Sequence, residues 1–338
     1  MKVIIAPDSF KECLSAPEVA DTLARELVRL FPGREVVKLP LSDGGEGFSE
    51  IIGRNLGACR VNADVTGPLG EPVKAGYARK GNLAILDVAS VCGLSLVKPE
   101  DRNPLKTTSK GVGELLLKAY EDGCRKAIIG LGGSATSDGG KGILDVTEGL
   151  EMEIHALCDV SNPFVGSSGA ARVFGPQKGA TPEMVEILES RMVSLAALYL
   201  KRYGVNVADL PGAGAAGGIG GALAAGLGAT LESGIDAVLD LLHFEEVIEG
   251  ADIIVTGEGK SDGQTLSGKV PFGVLRRSGN IPVVLVSGTI RDASALRNAG
   301  FHRLIEVSPW NLPLEEALKA DIARANLEQA ARRIVLEE

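Results

Sequence analysis

The sequence predicts an α/β protein of two domains. Three observations carry that expectation. Short β-rich apolar runs alternate with longer helical patterns, polar Gly-rich loops follow several of the predicted strands, and the length of 338 residues exceeds what one hydrophobic core usually serves. With 45% hydrophobic and 23% charged residues the chain is too apolar for disorder. Its 44 glycines are nearly twice the ordinary share of about 7% and follow no G-X-Y period, which excludes collagen and points to turns, close backbone approaches or ligand loops.

Residues 2–6 read as a buried strand that begins at once, because Met1 and Lys2 precede only four apolar residues before Pro7, too few for a signal peptide. An amphipathic helix over 16–30, capped by Ser15 and with Pro17 in its first turn, leads to a strand at 35–39. Residues 60–98 hold strand-like pieces joined by turns at Gly67-Pro68-Leu69-Gly70 and Lys80-Gly81-Asn82, the pattern of a mixed or antiparallel meander. A helix at 109–122, a strand at 126–130, a Gly-rich loop, a strand at 153–158 and a helix at 182–203 come next. Residues 210–231 carry no charge and are long enough for a bilayer, but eight are Gly, so a loop and then a helix inside a soluble protein is expected. The C-terminal third returns to the βα alternation, with strands at 252–256, 282–287 and 304–307 and helices at 271–278, 293–299 and 314–336. Repeated βα units argue for a parallel sheet covered by helices. Inserting the middle α/β domain into the first would let the N- and C-terminal units share one sheet.

Lys and Arg number 35 against 44 Asp and Glu, a net charge of −9, and no basic run occurs, so nucleic acid and anionic membrane are excluded as partners. The cysteines at 13, 59, 92, 124 and 158 are odd in number and without any C-x-x-C, which suits free buried thiols in a reducing cytoplasm. His155, His243 and His302 are scattered and offer no zinc site. No G-x-S-x-G is present, and Trp310 reads as packing.

Chemistry is expected where loops leave the carboxyl ends of strands. Four such loops stand out, each joining small residues to an acid. They are Pro7-Asp8-Ser9-Phe10-Lys11; Ser42-Asp43-Gly44-Gly45-Glu46-Gly47; Gly132-Gly133-Ser134-Ala135-Thr136-Ser137-Asp138; and Gly257-Glu258-Gly259-Lys260-Ser261-Asp262. The third, between a strand and a helix, can offer backbone N–H groups and hydroxyls to phosphate oxygens, or serve as a tight capped turn. Asp8, Asp43, Asp138, Glu258 and Asp262 are each able to hold Mg²⁺ or accept a hydroxyl proton, although singly such acids are more often caps or turn residues. Two motifs fall short. The stretch from Gly263 to Lys269 fits G-x-x-x-x-G-K, but Val270 stands where a Walker A loop needs Ser or Thr, leaving Lys269 as a phosphate ligand at a helix start. Gly212, Gly214 and Gly217 fit G-x-G-x-x-G without a preceding strand, which favours helix packing or a nucleotide-lining loop over dinucleotide binding. Phosphoryl transfer, which asks for positioning, Mg²⁺ and donors rather than covalent chemistry, matches this inventory.

Taken together, these motifs resemble the bacterial glycerate kinases of the glycerate 2-kinase type. The resemblance runs through the first three loops, Cys158-Asp159-Val160 with Asn162-Pro163, Val173-Phe174-Gly175-Pro176-Gln177-Lys178-Gly179-Ala180, the stretch from Pro211 to Gly218, and Thr256-Gly257-Glu258-Gly259 with Asp262, Gln264, Gly268 and Lys269. These blocks keep their order over almost the whole chain. The resemblance implies ATP- and Mg²⁺-dependent phosphorylation of D-glycerate to 2-phosphoglycerate, with 3-phosphoglycerate as the alternative product. It also implies a Rossmann-like domain, placed at 1–63 and 250–338 with its parallel sheet built from both chain ends. A flavodoxin-like domain is inserted at 64–249, with the active site in the cleft between them. A homodimer is an assembly open to such a chain.

Chemistry then suggests roles within that resemblance. Lys11, Asp43 and Asp262 are the catalytic candidates, with one Asp as proton acceptor and Lys11 on the carboxylate or the transferring phosphoryl group. Ser9, Lys178, Lys269 and Gln264 are expected to bind substrate. Gly132, Gly133, Ser134 and Thr136, with Gly212, Gly214 and Gly217, would line the nucleotide, and Asp8, Asp159 and Glu258 would hold the metal. The chain departs from the pattern at Ser137 and Lys141, and more seriously around 143–154, where the link from the Gly-rich loop to Cys158 is shorter than in such proteins. An NAD-dependent hydroxy-acid oxidoreductase, resting on G-x-G-x-x-G, and a non-catalytic metabolite-binding protein are the competing readings.

Overall fold

The computed structural model describes residues 2–309 and 311–334. Its strands are β1 (Lys2–Ile5), β2 (Glu35–Lys38), β3 (Cys59–Thr66), β4 (Pro72–Lys80), β5 (Leu83–Asp87), β6 (Lys126–Gly130), β7 (Glu153–Leu157), β8 (Thr230–Glu232), β9 (Ile253–Ser261), β10 (Val283–Ile290) and β11 (Arg303–Glu306). They form two sheets in two compact units, residues 1–42 with 235–338, and residues 43–234.

The first unit holds a five-stranded sheet in the order β11-β10-β9-β1-β2, parallel throughout. One face carries Val3, Ile5, Val255, Val284 and Val286 against Val19, Leu23 and Leu27 of the helix Ala16–Leu30 and Leu327 of the helix Ala320–Ala331. Ala16–Leu30 has the predicted bounds because its start is encoded locally. The Ser15 hydroxyl accepts from the Glu18 N–H at 3.4 Å, and the Glu18 carboxylate accepts from the Ser15 N–H at 2.9 Å, a reciprocal cap.

The α/β class, and the parallel sheet shared by the two chain ends, are as the sequence predicts. The topology labels fall differently. Numbered along its own unit, this sheet runs 2-1-3-4-5, the flavodoxin-like order, whose ligand crevice lies beyond the carboxyl ends of the first and third strands, here β1 and β9. The predicted C-terminal helix over 314–336 is interrupted: Leu314–Ala317 and Ala320–Ala331 are separate, and Trp310 and residues 335–338 lie outside the described residues.

The second unit holds a six-stranded sheet in the order β3-β4-β5-β6-β7-β8. The first three strands form the expected antiparallel meander, and β5 to β8 are parallel, so this sheet has neither the flavodoxin-like nor the Rossmann-like order. Leu86, Ile129 and Ala156 pack with Val112, Leu115 and Leu116 of the helix Lys110–Glu121 and with Ile219 and Leu223. The charge-free stretch is a loop and then a helix, Ala215–Leu227, broken by left-handed backbone at Ala216, Gly217 and Gly218. No helix among the described residues is long and apolar enough to cross a membrane.

The units divide at 42/43 and 234/235 rather than at 63/64 and 249/250. β3 pairs with β4, and the helix Phe48–Asn55 lies on β4 and β5, which draws 43–63 into the second unit. Ile235 packs against Gly273, and Arg277 bonds Asp240 and Glu245, which draws 235–249 into the first. All five cysteines are free; Cys92 and Cys124 are buried, whereas Cys59 is exposed. Burial pushes the Cys92 thiol up to about 12, which makes it inert.

Candidate active site

In the second unit the parallel strands end level with one another, Asp87 beside Gly130 and Gly130 beside Leu157. Two of the predicted loops meet at this edge. Gly44, at φ +106°, lies across the end of β6, and its carbonyl accepts from the Gly132 N–H at 2.9 Å. No side chain fits between them. A Cβ on Gly130 would stand 2.5 Å from the Gly44 carbonyl oxygen and 2.8 Å from its Cα, and one on Gly132 would stand 2.8 Å from the Gly45 Cα. This glycine-on-glycine contact fixes Asp43, half-buried, at the carboxyl end of the sheet.

The helix after this loop, Phe48–Asn55, begins at Gly47, which has no side chain to cap it. Asp87 supplies the cap from the end of β5. Its carboxylate accepts from the Ser49 N–H at 3.1 Å and from the Ser90 N–H at 2.8 Å, closing two helix N-termini with one buried group. The sequence reading missed Asp87, although an acid at a strand exit was the signal to look for. Asp87→Ala leaves two amides without their acceptor and is expected to lower unfolding stability by about 2–4 kcal/mol, read from denaturant unfolding.

The 132–136 loop does not run straight into a helix. Residues 131–140 are irregular, and only the four-residue helix Lys141–Leu144 follows. The loop is pinned from elsewhere: the Ala135 N–H donates to the Cys92 carbonyl and the Leu94 N–H to the Gly133 carbonyl, each at 2.8 Å. Lys178, buried, donates from Nζ to the Ser134 hydroxyl at 2.9 Å and to the Thr136 carbonyl at 2.6 Å. Burial lowers its pKa to about 8. Asp138 is a structural hub, accepting from the Ser109 N–H and hydroxyl at 2.8 Å and from the Gly140 N–H at 3.0 Å. Of the G-x-G-x-x-G glycines, Gly217 lies directly on Thr136, whereas Gly212 and Gly214 face Cys158 and Pro163.

The first unit gathers the other candidates at the switch point between β1 and β9. Asp8 is buried, accepts from the Ser9 N–H at 2.6 Å, and donates its own N–H to the Gly257 carbonyl at 2.8 Å. β9 runs five residues past the predicted strand, because Glu258 pairs with Ser287 and Lys260 with Thr289 of β10. Glu258 therefore belongs to a strand, not a loop. Its Oε1 accepts from Thr265 at 2.6 Å and Ser261 at 3.0 Å, and its Oε2 faces Lys269 Nζ at 3.3 Å. Asp262 caps the turn Gly263–Ser267, accepting from the Gln264 N–H at 2.9 Å. Lys260 at 2.8 Å holds the Asp262 carboxyl below the usual range. Lys11 and Gln264 are exposed, and Lys269 is half-buried at the start of the helix Val270–Arg277.

Among the described residues no group of three or more His, Cys, Asp and Glu is gathered to hold a metal. Mg²⁺ often takes only one or two carboxylates together with substrate phosphates, so each carboxylate is tested by itself. Glu258 does not fit, since both its oxygens already face protein donors. Asp8, buried at the switch point, and Asp159, exposed just beyond β7, have the hard oxygens that Mg²⁺ takes, and each already gives one of them to a backbone N–H, of Ser9 at 2.6 Å and of Gly234 at 3.2 Å.

The comparisons with known proteins agree over the whole chain. The family model described as "Glycerate kinase family" matches residues 3–150 and 145–337. The chain is 40% identical to "Glycerate kinase" of Bacillus subtilis (strain 168), covering 99% of this chain and 97% of that protein. It is 41% identical to "Glycerate 2-kinase" of Escherichia coli (strain K12), with the same coverage. A crystal structure of a protein provisionally named glycerate kinase 2, from Salmonella typhimurium LT2, superposes with a TM-score of 0.85 at 40% identity, over 99% of this chain and 97% of that one. The alignments run to 371 and 372 residues, longer than this chain, and the family match breaks in two at 145–150. The shortened link around 143–154 is thus a difference from these relatives. Here it closes on a short turn, with Thr147 donating to the Ile143 carbonyl at 3.0 Å and Glu148 paired with Arg202 at 2.8 Å.

Proposed function

The chain belongs to the glycerate kinase family, and on that premise we propose that it uses ATP and Mg²⁺ to phosphorylate D-glycerate at its 2-hydroxyl. It is a kinase. The name of the E. coli relative supports position 2, and the observation that carries the reading is the seating of the 43–47 loop on the 130–132 backbone at the strand ends.

In the proposed reaction the hydroxyl oxygen of glycerate forms a new P–O bond to the γ-phosphorus as the bond to the β-bridging oxygen breaks. ADP leaves, and the hydroxyl proton passes to a carboxylate. Of the two candidates, Asp43 suits that role better. The Asp262 carboxylate is already engaged by Lys260 and the Gln264 N–H, and its lowered pKa makes it a weaker base than an ordinary carboxylate. Lys11 and Lys269 supply positive charge for the glycerate carboxylate or the transferring group. In the 132–136 loop the Ser134 hydroxyl and the backbone N–H groups not already given to the Gly44 and Cys92 carbonyls would meet the nucleotide phosphates, whereas the Thr136 side chain, expected to line the nucleotide, is buried and donates to the Ala216 carbonyl at 3.4 Å. Asp8 or Asp159 would hold Mg²⁺, which when bound neutralises charge on the phosphate oxygens.

The test is incubation with Mg-ATP and D-glycerate. ADP release that depends on glycerate is expected, together with a proton-coupled phosphorus doublet from a phosphate on the 2-carbon. A triplet would place the phosphate on the 3-carbon, and absence of ADP above the blank would remove the reading. The oxidoreductase alternative finds no support, since no strand leads into Gly212.

A further inference from the structure

Lys178 is the single lysine buried among the described residues, and it lies in none of the strands or longer helices. It ends the one-turn helix Pro176–Lys178, and Gly179 beyond it, at φ +91°, leaves no room for a side chain against the Arg102 backbone. Both acceptors of its ammonium belong to one short segment, the Ser134 hydroxyl at 2.9 Å and the Thr136 carbonyl at 2.6 Å. No carboxylate of the described residues forms an ion pair with it. The titratable groups facing it are the Cys92 thiol and Asp138, and the carboxylate of Asp138 already accepts from Ser109 and Gly140.

Burying an unpaired ammonium costs several kcal/mol, and bracing a loop requires no charge, because a neutral donor would serve. The charge becomes favourable when an anion arrives in the same low-dielectric surroundings. We propose that Lys178 is a positioning residue for the nucleotide phosphates: it fixes Ser134 and Thr136 and sets a positive charge beside the 132–136 loop that a bound phosphate group balances. The inference rests on the kinase reading above and differs from the expectation that Lys178 binds glycerate.

The probe is Mg²⁺ with a non-hydrolysable ATP analogue. Binding is measured by calorimetry at several pH values between about 7 and 10 in buffers of different ionisation enthalpy, and steady-state kinetics are run alongside. Burial lowers the Lys178 pKa to about 8, and a bound anion raises it, so binding takes up a fraction of a proton over the pH range in which the free ammonium titrates. Lys178→Met is expected to abolish that uptake and to weaken nucleotide binding by about 10–100-fold, with the KM for glycerate unchanged. Lys178→Arg is expected to recover most of the affinity without the uptake. A merely structural lysine would instead raise both KM values together and leave the proton count as it was. Wild-type protein needs no variant to be decisive: nucleotide binding without proton uptake anywhere between about pH 7 and pH 10 overturns the inference and leaves the kinase reading standing. Failure of wild-type protein to bind any adenine nucleotide overturns both.

Discussion

Asp43→Asn is expected to lower kcat by about 10²–10⁴-fold, the range a positioned general base contributes, with the unfolding midpoint unmoved. The substitution is nearly isosteric. The loop is held by backbone, through the Gly132 N–H to the Gly44 carbonyl and the contact of Gly44 with Gly130, so the side chain does not carry the fold. Among the described residues of its unit, the Asp43 carboxylate makes no hydrogen bond that the amide would break. Asp262→Asn is the matched control. There the carboxylate already accepts from the Gln264 N–H, which the Asn oxygen still serves, and pairs with the exposed Lys260, so the loss is expected to be below about 1 kcal/mol in stability, with kcat changed by less than about tenfold. Turnover measured at saturating Mg-ATP and D-glycerate separates the two. Near-normal turnover in Asp43→Asn removes Asp43 from the chemistry, and a large loss in Asp262→Asn instead transfers the role of base.

What the sequence made legible was local. The helices Ala16–Leu30 and Pro182–Tyr203 have their predicted bounds because Ser15 and Thr181 cap them and Pro stands in the first turn of each. β6 was legible as an apolar run between turns. The misjudged features depend on tertiary pairing. Gly257, Glu258 and Gly259 look like loop residues, and only the register with β10 makes them strand. The unit boundaries were invisible because no change of composition marks residues 42 or 234. Strand order leaves no trace in periodicity, so the parallel sheet shared by the chain ends was legible but its 2-1-3-4-5 order was not. Within the candidate site the acid-and-glycine loops were visible, but not what braces them. Asp87 lies 38 residues from Ser49, the farther of the two amides it caps. Lys178, expected from the sequence to bind substrate, gives no sign between Gln177 and Gly179 that its side chain is buried against the 132–136 loop.

The glycine contact that seats Asp43 makes a second large effect predictable. Gly130 is not among the positive-φ glycines, so alanine is conformationally acceptable there and the obstacle is space alone. Its Cβ would lie 2.5 Å from the Gly44 carbonyl oxygen and 2.8 Å from the Gly44 Cα, both backbone atoms with no rotamer through which to yield. The 43–45 backbone must therefore lift from the end of β6, and the overpacking is expected to lower stability by about 1–3 kcal/mol. A displacement near 1 Å at a reacting group costs on the order of 10²-fold in rate, so kcat should fall far more than the loss of folded protein explains. Gly81→Ala provides the comparison: Gly81 has φ +60° and nothing within 4 Å of the place a Cβ would take, so the strained backbone costs about 1 kcal/mol and Asp43 does not move. The two variants should thus have similar unfolding curves and widely different kcat. Equal kcat in both would mean that the position of the 43–45 backbone is immaterial to turnover, and the assignment of Asp43 as base would fall with it.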